Sequence, residues 1–154
     1  MIALARALVV VVLLAVPAVA REPQRPPEEA RARVEHHLRE MEPIIAHFQT
    51  VLDSECPRFA SPAEWTKYFD GEVDRVVLLR AHLEQAWIEA TRTGDDDVRR
   101  TAKAPRKRVN DALALLDKLK TCASDNGTSF SQMTVWRRIE REVPQRQVEI
   151  ALPQ

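Results

Sequence analysis

Ser61-Pro62-Ala63-Glu64-Trp65 reads as the opening of a long helix. A serine caps the first free N–H groups, a proline suits the first helical position, and a glutamate three residues after the serine closes a capping box. From this start Trp65, Phe69, Val76, Leu79, Leu83, Trp87 and Ala90 fall on one side at helical spacing. Gly71 weakens the early part, so either one helix or a short one followed by a longer one from about Asp70 is expected. Thr93-Gly94 is the expected stop, with glycine in the C-terminal cap.

Working back from Ser61, Pro57 after Cys56 ends an earlier helix that can begin at Glu28. Val34, Leu38, Met41, Ile45, Phe48 and Leu52 form its apolar stripe, and Pro43 lies on the opposite face, where a kink leaves the packed side intact. Arg21 to Pro27 holds three prolines and is expected to be an extended leader.

Working forward, Asp95-Asp96-Asp97 places a cap and negative charge at the start of a third helix. Its stripe is Val98, Ala102, Val109, Ala112, Leu116 and Leu119, with Pro105 marking either a kink or the true start. Ser124 to Thr128 is a loop, after which Ser129 and Gln132 suggest a second capping box. They open a shorter helix with Phe130, Met133, Trp136, Ile139 and Val143 on its apolar side. Pro144 is expected to end it, leaving residues 144–154 as a tail without regular structure. Three long helices and a shorter fourth, each with one apolar face, predict an all-α, antiparallel four-helix bundle over residues 28–143.

Composition agrees: three glycines and one tyrosine in 154 residues favour helix over sheet. Residues 1–20 read as a secretory signal. Arg6 closes a positive start, Ala7 to Val16 is an apolar core, Pro17 breaks it, and Ala18-Val19-Ala20 suits a signal peptidase. Ala7 to Ala20 is shorter than the roughly 17 to 25 residues a membrane-spanning helix needs. Cleavage after Ala20 and export to a periplasm or the exterior follow as expectations, with no transmembrane segment in the remainder. The chain carries 23 Lys plus Arg against 23 Asp plus Glu. This balance argues against nucleic acid as a partner, since phosphate contacts call for a basic excess.

Cys56 and Cys122 stand at the ends of the first and third helices, which share a pole in an up-down-up-down bundle. In an oxidising compartment they are expected to pair as a structural staple.

The densest set of polar ligand types is His36, His37, Glu40 and Met41. His36 with Glu40, and His37 with Met41, are four apart and share a helix face, as two metal ligands would. The stripe, however, turns His36 to solvent and leaves only His37 at the apolar seam. His47 is eleven residues from His36, roughly 16 Å along a helix. Ordinary surface and boundary histidines are therefore the expectation, with no metal. Covalent haem attachment is ruled out by the spacing of the cysteines, and axial ligation would fall to His37, Met41 or Met133, which fit a core better. No cofactor is expected.

Arg99, Arg100, Lys103, Arg106, Lys107 and Arg108 form the strongest charge cluster, joined later by Arg137, Arg138 and Arg141. This cluster reads as a patch for a partner, set against a solvated face balanced by nearby acids. Neither a Gly-rich phosphate loop nor a Gly-x-Ser-x-Gly elbow occurs. The resulting expectation is an exported binding protein of adaptor, chaperone or immunity type that meets another protein through charged helix faces. A small-molecule, metal or haem carrier is the alternative, and a helical enzyme without a local motif the third class.

Overall fold

Residues 24–153 of the computed structural model are described, and five α-helices and one 3-10 segment account for most of them, with no strand among them. The expected signal lies outside the described residues.

α1 runs Pro27–Asp53, with Pro27 at the first position and Glu28 and Glu29 in the first turn. Its buried face is Ala30, Val34, His37, Met41, Ile44 and Phe48. Ile44 thus replaces Ile45 at the centre of the stripe, because spacings of four, three, four, three and four keep a straighter line on a 3.6-residue helix. Pro43 lies inside α1 on the exposed side, as its position implied.

α2 runs Pro62–Thr91 as one uninterrupted helix. The Ser61 hydroxyl accepts from Glu64 N–H, and Glu64 Oε2 accepts from Ala60 N–H at 3.1 Å. Gly71 sits without a break, half-buried between Asp70 and Glu72. Gly94 is not in the left-handed region, so it does not form the expected glycine cap; Gly127 is the glycine with positive φ among the described residues, at 67°. Arg92 caps α2 in right-handed geometry instead.

The third expected helix divides. α3 is Asp96–Lys103, capped by Asp95 Oδ1 accepting from Asp97 and Val98 N–H at 2.8 and 3.0 Å. The 3-10 segment Ala104–Arg108 carries Pro105, and α4 resumes at Val109–Asp125. Pro105 has no N–H for the α ladder, and the tighter 3-10 turn absorbs the mismatch.

α5 is Gln132–Ile150. Its cap is Ser131, accepting from Thr134 N–H, not Ser129, and Gln132 bonds Asp117 rather than closing a box. Pro144 does not end this helix; it sits inside it, exposed, where its ring meets water. The helix persists because Val143 is buried behind it and Arg146 pairs with Glu149 at 2.7 Å beyond it. The last residues are also anchored: the Arg33 guanidinium donates to the Leu152 and Pro153 carbonyls at 3.2 and 2.5 Å.

α1 and α2 are antiparallel, with His47 against Glu72, His37 against His82, and Arg25 against Glu89. α5 runs parallel to α2. Phe130 meets Phe69 with ring centroids 4.5 Å apart, and Arg138 donates to Asp70 and Asp74 at 2.5 and 3.0 Å. Farther along, Gln147 lies beside the Leu83–Ile88 end of α2. α2 therefore stands between α1 and α5, while α4 leans on α1 and makes little close backbone approach to α5.

The main core unites α1, α2, α4 and α5 through Met41, Phe48, Leu79, Leu115, Leu119 and Ile139. Each such side chain contributes about 1.5–3 kcal/mol by leaving water. A smaller cluster of Ala30, Val34, Ala90, Val98 and Ala102 seats α3. Cys56 and Cys122 are bonded, with Cα atoms 5.1 Å apart. Asn126 locks the same pole, its amide donating to the Pro57 and Cys122 carbonyls and its oxygen accepting from Phe59 N–H. No helix among the described residues is long and apolar enough to cross a membrane.

Candidate functional site

Because α5 follows α2 and α4 follows α1, the facing sides of α4 and α5 do not close over each other. A trough runs between them, and α2 lines one end of it. Two wells of about 570 Å³ each lie along it. The first is lined by Leu83, Trp87, Ile88 and Val109, with Gln147 from α5. Leu113, Leu116, Met133 and Trp136 line the second, with Asp117 and Arg137 on its rims. Leu113 is 44% exposed and Met133 64%. Large apolar groups left this open in one strip mark interaction sites more often than isolated exposed leucines do.

Sequence patterning placed Met133 and Trp136 in the core. The buried line of α5 is instead Val135, Ile139 and Val143. Trp87 and Trp136 are half-buried at the trough, and only Trp65 of the three tryptophans is fully buried. Arg80 stands between the wells. Its Nη2 donates to Glu84 at 2.8 Å, and its guanidinium lies 5.1 Å from the Trp136 ring centroid.

The basic cluster is largely paired with its own acids. Arg99 meets Asp96 at 3.4 Å, Arg100 meets Asp97 at 2.5 Å, and Arg108 meets Asp111 at 3.3 Å. Lys103 and Lys107 are exposed, and the side chain of Arg106 is outside the described ones. On α5, Arg137 rims the trough, Arg138 is spent on Asp70, Asp74 and Glu142, and Arg141 is exposed beside Glu142. The segment leads straight into Val109 of the first well, so its charge borders the trough.

The histidines sort differently from expectation. His37 does more than border the seam: it is fully buried, and its Nδ1 lies 3.1 Å from Nδ1 of His82. Burial pushes the His37 imidazole down to about 4, aided by the neighbouring His82, His36 and Arg33. His82 is lowered by burial too, with Glu40 opposing. His36 is half-buried, Glu40 exposed and Met41 buried in the α1–α2 interface. Met133 opens into the trough, so the three residues considered for haem do not converge. No three His, Cys, Asp or Glu among the described residues are grouped to hold a metal ion. His82 escaped the sequence reading because no motif surrounds it; only the antiparallel register of α1 and α2 brings it to His37.

His47 Nε2 lies 2.9 Å from both oxygens of buried Glu72, and Arg75 donates to Glu72 at 3.1 Å. The carboxylate thus has two structural partners, and the His47 contact ties α1 to α2.

No family model, no curated protein and no solved structure matches the chain.

Proposed function

We propose that the chain is an exported binding protein that takes a helix of another protein into the α4–α5 trough. The observation that carries this reading is the strip of open apolar surface on a stapled frame. In this reading α3 and α4 act as one bent column, giving four columns of alternating direction. The staple keeps the disulfide pole of α4 fixed while its outer face stays unfilled. An amphipathic helix laid in an apolar groove is a standard recognition mode for such a surface. The Cys56–Cys122 bond supports an oxidising compartment, in line with a signal cleaved after Ala20.

A photo-crosslinking residue in place of Met133, with a control in place of exposed Glu35, tests the proposal. The expected result is a crosslink from position 133 to a discrete exported protein, competed away by unlabelled wild type and lost in a Leu113→Asp background. Equal crosslinking from position 35 would remove the trough as the site. N-terminal sequencing of the exported protein is expected to start at Arg21.

A further inference from the structure

We infer that the partner helix carries a carboxylate between two apolar anchors about three turns apart, and that this carboxylate meets Arg80. The inference rests on the trough being the helix-binding site.

The spacing comes from α5. Trp136, at the middle of the Gln132–Glu140 stretch that borders the second well, and Gln147 of the first are eleven residues and about 16 Å apart along one helix. A partner helix lying alongside spans that distance in ten or eleven residues. Large apolar residues at i and i+11 then share one face, because eleven residues make close to three whole turns. A small apolar molecule fills one well and leaves the other open, whereas a helix covers both.

The charge comes from Arg80. A guanidinium offers five N–H donors and no acceptor. Arg80 has one counter-charge, Glu84, on Nη2, while its Nη1 is shut from water with no acceptor among the described residues. The side chain is 21% exposed and borders the first well, so a partner carboxylate can reach it if the guanidinium turns off the Trp136 ring. The missing element is an anionic acceptor between the wells. Register follows from the rims: Asp117 and Glu140 outnumber Arg137 around the second well, which disfavours an acid there. At the first well Glu84 is bonded to Arg80, and exposed Lys107, just before Val109, favours a further acid at that end. The partner is thus an acidic amphipathic helix, apolar at i and i+11, with Asp or Glu near i+4 or i+7.

A phage-displayed library of 18-residue helices, randomised on one face, selected on the intact disulfide-bonded protein tests this. Enriched helices are expected to carry large apolar residues ten or eleven apart with an acid between them. Changing that acid to Gln should weaken binding roughly tenfold, as loss of a charge-assisted hydrogen bond does. Arg80→Gln should lose the same factor and abolish the difference, while Arg80→Lys retains part of it; circular dichroism and thermal melts check that both variants fold. Enriched helices that lack the acid, or that bind Arg80→Gln as well as wild type, overturn the inference and leave the trough reading standing. Enriched helices insensitive to Leu113→Asp overturn both. So does an absence of enriched helices, including the case where a small apolar dye such as anilinonaphthalene sulfonate binds stoichiometrically.

Discussion

His37 and His82 face each other with their Nδ1 atoms 3.1 Å apart, joining α1 to α2 inside the protein. His37 falls between Val34 of the smaller apolar cluster and Met41 of the larger one. One ring donates and the other accepts, which requires at least one neutral imidazole at that contact.

Acid should therefore weaken the fold. The His37 value is about 4 in the folded protein against 6.5 unfolded. Between these values the unfolded chain binds more protons, so stability is fully present above about pH 6.5 and lost as pH falls toward 4. The loss is on the order of 2–3 kcal/mol for His37, and His82 adds in the same direction. Urea unfolding at pH 7, 5.5 and 4.5 measures it. The double variant His37→Leu with His82→Leu should flatten the slope; an unchanged slope would assign the acid response elsewhere.

The disulfide closes a loop across 66 positions. Replacing Cys56 and Cys122 by serine should lower stability by about 2–4 kcal/mol, chiefly by enlarging the unfolded ensemble. Denaturant titration of the folded variant gives the number. A loss under about 0.5 kcal/mol would mean that the Asn126 hydrogen bonds, with Lys118 donating to the Ser54 carbonyl at 2.7 Å, hold that pole alone.

Neighbouring leucines on α4 should behave oppositely. Leu115 is fully buried and Leu113 is 44% exposed. Leu115→Ala should cost about 2–4 kcal/mol through loss of burial and an unfilled cavity. Leu113→Asp should stay within about 0.5 kcal/mol while abolishing crosslinking from position 133. Similar stability losses for the two would contradict the placement of the α4 face.

Pro144 removes one α5 backbone hydrogen bond and is exposed. Pro144→Ala should raise stability by about 1–3 kcal/mol, since the ring leaves the helix and the N–H returns. A thermal melt compares the two proteins. A fall in melting temperature would show that the proline ring at 144 helps to seat Val143.

Much of the helical layout is legible in the sequence because it rests on local chemistry. Ser61, Asp95 and the two cysteines act through short contacts whose partners are residues away or at a shared helix end. The errors lie where a local rule met a distant neighbour. Ser129 and Ser131 both offer a cap, and Phe130 settling on Phe69 leaves Ser131 to start α5. Pro144 is a helix breaker by propensity, yet packing of Val143 and the Arg33 clasp on residues 152 and 153 carry the helix past it. The trough was hidden for a similar reason. Met133 and Trp136 belong to an apolar pattern that assumes α4 and α5 close together, and the pattern carries no information about the choice of α2 as the neighbour of α5. His82 has no motif at all.

The parallel course of α2 and α5 also sets an order of assembly. Phe69 and Phe130 are 61 positions apart in the chain, whereas the α1–α2 hairpin closes over a short link. Contacts across longer loops form at greater entropic cost, so the hairpin is expected to form first and α5 to dock onto it late. The last element to dock is the first to come away. Amide protons of α5 should thus exchange sooner than those of α2, and the wall of the trough borne by α5 becomes the wall that yields when a guest enters.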